Sequence, residues 1–261
     1  VIFPARIVEA TVVSTVAVAC AIGVLIMQQP TLQALNTPLN QTEYRRQEKA
    51  AKVTLDFLQK LPAFGFNNLV ADWSFLQFIQ YFGDTPARNQ TGYSLVPEYF
   101  EVIVNKDPRF IDAYLYLSTA CSIFAGRPDR TVALMNQGLK SLTPETSERA
   151  YYLWLYKAVD EILFIGDNQA AKRSYEKASQ WAHLRGNQQI ADQARQTAQF
   201  LSRNPDSKKV QASAWLLIFD NARDDYTRKL ALTRIQALGG KIAITQHNGE
   251  TRISVEMPKE D

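Results

Sequence analysis

Any chemistry in this chain would have to run through few residues. It contains two histidines, His183 and His247, and two cysteines, Cys20 and Cys121, in 261 residues. The cysteines fall on stretches of quite different character, so neither a disulfide framework nor a cysteine metal site is expected. The adjacent carboxylates Asp160-Glu161 and Asp224-Asp225 are the remaining candidates on predicted helices. Neighbouring side chains on a helix point about 100° apart, so Asp160 and Glu161 cannot face each other across a substrate. Asp224-Asp225 is placed to cap the helix that follows it. His183 lies near a predicted helix end and suits a polar contact there. The chain has no Gly-rich phosphate loop, no His-Glu-x-x-His and no nucleophile elbow. The expectation is a protein that is not an enzyme and has no cofactor or metal. The one enzymatic alternative is a site built from dispersed Tyr, Asp and Arg.

Composition supports a binding role more than a catalytic one. Hydrophobic residues make up 46% and aromatics 11%, enough for a substantial core. A net charge of +3 is too small to argue for a nucleic-acid partner.

The elements that would position a binding surface begin with an apolar run. Residues 10–27 carry no charge, and eighteen residues of helix reach roughly 27 Å, close to the ~30 Å hydrocarbon core. A single transmembrane anchor over 1–30 is expected, with Ala10, Val16, Val18, Ile22, Leu25 and Met27 facing lipid. An all-round apolar helix inside a soluble fold would need enclosure on every side. A cleaved signal peptide fits poorly, because the run continues past the small residues 19–21. A lipoprotein site at Cys20 fails for the same reason. Arg6 lies before the run, while Arg45, Arg46, Lys49 and Lys52 lie at or beyond the range that sets orientation. A short N-terminal tail before a single span acts as a signal anchor, so a C-terminal domain on the exported side is expected.

Residues 31–62 read as a polar, Pro-containing linker followed by an amphipathic helix. Asn40 and Glu43 have capping-box spacing. Tyr44, Ala51, Leu55, Leu58 and Leu61 then recur at helical intervals opposite Arg45, Lys49, Lys52 and Asp56. Such a helix can cap neighbouring helices, the preferred reading, or rest on anionic headgroups. The aromatic stretch 64–83 is expected to pack in a core. Its alternative is an aromatic surface for a partner.

From 63 to 238 the pattern is helix–turn–helix. Pro108 and Pro144 stand 36 residues apart, near a repeat period of about 34. Between them come Ala113-Tyr114-Leu115-Tyr116-Leu117-Ser118, a turn at Gly126, and a second helix to Leu142. The next unit is sharper: Gly166 is followed by Ala171, Tyr175 and Ala178. These residues resemble the tetratricopeptide repeat family, as do Trp73 and Leu76 three residues apart in an earlier helix. The resemblance covers roughly 64–200. It implies an all-α solenoid in which Trp73, Leu76, Tyr114, Leu117, Ala171, Tyr175 and Ala178 pack the repeats. The pattern departs from the family at Ser118, at an apparent insertion near 124–127, and in an over-long helix over 148–165. Residues 172–234 carry twelve Lys and Arg against six acids, a solvated face or a surface for an acidic partner. After Gly239-Gly240 the period changes to two, and Asn248-Gly249 marks a β-hairpin over 239–261.

The resemblance implies protein–protein binding rather than catalysis. The phrases Ala71-Asp72-Trp73 and Gln80-Tyr81-Phe82-Gly83 further resemble membrane-anchored tetratricopeptide proteins of cyanobacteria. That likeness implies an accessory subunit or assembly factor of a membrane complex, photosynthetic and in the thylakoid, contacting other subunits and lipid through one span. A cell-envelope adaptor tethering a soluble partner to the bacterial plasma membrane is the alternative.

Overall fold

The computed structural model describes residues 13–27, 40–203, 207–247 and 250–258. The chain divides into two compact units, Val1–Glu43 and Tyr44–Asp261.

In the first unit, helix α1 spans residues 13–27. Its Val16, Val18, Ile22, Leu25 and Met27 are each exposed by half or more, while Ala10 lies outside the described residues. Fifteen residues rise about 22 Å, short of the ~30 Å a span requires. Among the described residues no helix is long and apolar enough to cross a membrane. The expected transmembrane anchor is thereby overturned. The described helix is shorter than the eighteen-residue apolar run 10–27, and residues 10–12 lie outside the described residues.

α2 (Gln41–Lys60) begins where the capping box places it. The Glu43 amide donates to Asn40 Oδ1 at 2.9 Å, and the Asn40 amide donates to Glu43 Oε2 at 3.1 Å. In the second unit α2 buries Tyr44 and Leu55. α3 (Asn67–Gly83) packs on α5 (Val96–Lys106). Between them lies the short α4 (Thr85–Thr91), capped by the Asp84 carboxylate, which accepts from the Ala87 amide. Phe78, Phe100, Ile103, Tyr114, Leu117, Met135 and Leu153 form the main core.

Two helices then end in the same unusual way. α6 (Ile111–Leu117) continues as a π-helical segment, Ser118–Phe124, before α7 (Pro128–Leu139). α8 (Tyr151–Asp160) continues as a π-helical segment, Glu161–Ile165, before α9 (Asn168–Leu184). Glycines at positive φ turn the chain after each, Gly126 at 63° and Gly166 at 79°. The backbone angle at Gly166 is one that favours glycine, whereas the nearest neighbour of a Cβ there would be the flexible end of the Gln211 side chain, which can move aside. The apparent insertion near 124–127 and the over-long helix over 148–165 are these two wide turns. A lone helix period does not reveal them.

α10 (Gln188–Leu201) packs on α9, and α11 (Lys208–Asn221) on α12 (Asp225–Ala237). Trp215, Ile218, Ala231 and Ile235 form a second, smaller core. As its spacing foretold, Asp224 caps α12, accepting from the Thr227 amide at 2.8 Å. β1 (Lys241–His247) and β2 (Glu250–Glu256) pair antiparallel with Ile242 opposite Val255. The hairpin leans on the helices through Val255, which packs against the second core. Asn248 and Gly249, the expected turn, lie outside the described residues.

Candidate partner-binding cleft

The side chains that build a site here come from α7, α8 and α9. Asp167 caps α9 by accepting from the Ala170 amide at 2.8 Å, which fixes the phase of everything after it. One ridge of α9, Ala171, Ser174 and Ala178, is buried against its neighbours. The next ridge, Arg173, Lys177 and Gln180, is exposed and lines a cleft of about 600 Å³ with Asn136 and Trp154. That volume lies within the usual range for ligand-binding clefts.

The floor of the cleft is polar and fixed. Lys157 and Glu161, 6% and 4% exposed, pair one helical turn apart across the start of the π-helical segment. Ser174 of α9 closes the set: Lys157 Nζ donates to its Oγ at 2.9 Å, and its hydroxyl donates to Glu161 Oε2 at 2.6 Å. The ammonium also lies 5.5 Å from the centroid of the Trp154 ring. With every charge matched, the floor is neutral and ties α8 to α9. It cannot serve as a Ser–Lys nucleophile pair, because the lysine is committed to Glu161 and Ser174 is 1% exposed. The rim differs. Glu176 pairs with Lys172 at 3.7 Å, whereas Arg173 and Lys177 have no carboxylate within ion-pair distance among the described residues, Lys177 reaching only Gln180 Oε1 at 3.5 Å. The indole N–H of Trp154 is buried in the wall without a hydrogen-bond partner.

On the other side of the same helix, Asp160 turns away from this cleft. It is fully buried and accepts from Ser118 Oγ at 2.7 Å and Ser122 Oγ at 2.5 Å, while Ser122 shares a further bond with Thr131 at 2.9 Å. Burial pushes its carboxyl up to about 7, against the lowering effect of the two serine hydroxyls.

A second concavity of about 350 Å³ lies among Arg127, Phe164, Trp215, Tyr226 and Arg234. Its Arg127 is already engaged with Asp129 at 2.8–2.9 Å, and this bond holds the Asp129 carboxyl below its ordinary range. The first cleft is therefore the better candidate for an anionic partner.

The residues expected to pack the repeats divide. Tyr114, Leu117, Ala171 and Ala178 are buried, and Tyr175 is half-buried, with its phenol pushed up by burial. Trp73 and Leu76 instead point outward, 55% and 56% exposed, because Ala71, Ser74, Phe78 and Tyr81 occupy the inner face of α3. His183 meets Gln188 Oε1 through Nδ1 at 2.9 Å, a helix-end contact as its position suggested. Sequence reading missed Lys157 and Ser174, although the i, i+4 spacing of Lys157 and Glu161 was a usable signal. No family model, curated protein or solved structure matches the chain.

Proposed function

We propose that this chain is a non-enzymatic scaffold that binds an acidic segment of a partner protein in the α7–α8–α9 cleft, as an accessory or assembly subunit of a larger complex. The observation that carries this reading is the contrast within the cleft. Its floor is a self-neutralised Lys157–Glu161–Ser174 set, whereas its rim presents Arg173 and Lys177 without carboxylate partners among the described residues. Unmatched cations over a rigid, self-neutralised base favour carboxylates on an extended or helical segment. Stacked helix pairs with small residues such as Ala171 and Ala178 between them are consistent with a tetratricopeptide-like scaffold.

The test is affinity purification of the tagged full chain from its native cells, with wild type compared against Arg173→Glu/Lys177→Glu. Partners should be retained by the wild type and lost by the variant at an unchanged melting temperature. Identical partner sets would remove the cleft from binding, and turnover of any substrate in a broad panel would replace the scaffold reading altogether.

A further inference from the structure

The corner between α2 and α3 presents a large apolar surface to solvent. Val53, Phe57, Phe64, Phe66, Leu69, Trp73 and Leu76 are all more than half exposed. The four aromatic rings alone expose on the order of 500 Å², more than the scattered apolar residues of an ordinary surface. The turn between the helices is built to hold two of these rings out. The Phe66 amide donates to the Ala63 carbonyl at 2.7 Å, and both residues inside that turn have positive φ, Phe64 at 45° and Gly65 at 93°. Phe64 is the only described non-glycine residue at positive φ, a conformation that is costly for a bulky side chain. It is also 85% exposed, so no contact within the fold accounts for the strain.

Charge completes the pattern. Arg46, Lys49, Val53, Phe57 and Lys60 follow one another at three- and four-residue steps and so form one outer ridge of α2. The three cations on that ridge are exposed and form no ion pair among the described residues, whereas Lys52 on another face is paired with Asp56. Asp72 is the acid on the adjoining face of α3. A second copy of the chain docked across a two-fold axis would set these cations against themselves. An acidic protein helix would need a concave seat, yet the rings stand at a convex tip, and the groove beside them, between Leu58 and Trp73, holds only about 220 Å³.

From this geometry we infer that the α2–α3 corner is a docking surface for an anionic lipid bilayer, with Phe64 and Phe66 entering the interface and Arg46, Lys49 and Lys60 resting on headgroups. A bilayer accepts a convex aromatic wedge without a matching pocket, and each headgroup-level cation adds about 1 kcal/mol. This surface is distinct from the partner cleft, shares no residue with it, and does not depend on it.

The test uses the full chain with Cys20→Ser and Phe64→Cys carrying an environment-sensitive fluorophore, mixed with vesicles of phosphatidylcholine alone or with 30% phosphatidylglycerol, with and without doxyl-quencher lipid. A blue shift and doxyl quenching at position 64 are expected on the anionic vesicles, with a label at exposed Thr233→Cys unaffected. Arg46→Gln/Lys49→Gln/Lys60→Gln should require roughly 100-fold more lipid for the same signal, the product of three such cation contributions. A label at 64 that stays water-like while the protein floats with the vesicles would overturn the proposal. So would equal quenching on neutral vesicles, or a blue shift that rises with protein concentration in the absence of lipid.

Discussion

Asp160 and Glu161 are adjacent in sequence and serve opposite interfaces. Asp160 is held by Ser118 and Ser122 of the π-helical segment that follows α6, and Glu161 by Lys157 of α8 and by Ser174 of α9. One peptide bond therefore joins two polar contacts that tie the end of α8 to the segment after α6 on one side and to α9 on the other, and the stability of the fold should respond at both.

At Asp160 the sign is set by burial. Its folded value of about 7 lies above that of an ordinary carboxyl, near 4. The folded chain thus binds more protons than the unfolded chain between pH about 4 and 7, and its stability falls as pH rises through that window. Asp160→Asn removes the dependence while retaining a donor and an acceptor for the two serines. The variant should be more stable than the wild type at pH 8, by roughly 2–4 kcal/mol, with the difference closing near pH 4. Urea midpoints measured across that range would reveal the slope. Parallel curves for the two proteins would mean that Asp160 is ionised without penalty.

Lys157 should show the cost of an abandoned charge. Lys157→Met leaves Glu161 buried with only Ser174 as partner and is expected to destabilise the chain by about 3–5 kcal/mol. Adding Glu161→Leu should recover most of that loss, since an apolar pair needs no solvation. Equilibrium denaturation of the single and double variants distinguishes this from a simple packing defect, in which the second substitution would add to the first.

Gly138 is a packing glycine in the last turn of α7. A Cβ there would overlap the Tyr114 hydroxyl, which is held by the Pro108 carbonyl at 2.9 Å. Gly138→Ala, ordinarily favourable in a helix, should instead cost about 1–3 kcal/mol through overpacking. A raised thermal midpoint would show that the Tyr114 ring yields.

The two thiols should differ sharply. Cys20 is exposed and Cys121 is buried, and burial pushes the Cys121 thiol up to about 12. At pH 8 a disulfide reagent should titrate one thiol per native chain and the second only after denaturation. Rapid reaction of both would mean that the core around Thr131 and Arg127 opens readily.

What the sequence revealed was local. The Asn40–Glu43 box, the Asp224 cap, the Gly166 turn and the period-two tail are each written in a few consecutive residues whose geometry admits little choice. Sequence spacing failed where two answers satisfy one period. α3 is apolar on both sides, and the repeat resemblance placed Trp73 and Leu76 in the packing, whereas the Ala71–Ser74–Phe78 face is the buried one. The candidate cleft was hidden for another reason. Lys157 and Glu161 count as surface residues by type, and only tertiary packing shows that they neutralise each other below a cationic rim. The anchor was overturned because no described helix is both long and apolar enough to cross a membrane, a joint condition that an uncharged run does not by itself meet.

The two π-helical segments have a consequence for how this chain can change. A turn closed by wider hydrogen bonds stores one more residue than an α-turn of nearly the same rise. Deleting that residue from Ser118–Phe124 or from Glu161–Ile165 would let the turn close as α-helix with nearly the same rise and the same total rotation, so the glycine corner beyond it would keep its direction. Loss of a single residue at either place would thus be absorbed within the turn, leaving Gly126 or Gly166 and the helix that follows close to their present aim, whereas the same loss inside a regular α-helix would swing them by about 100°.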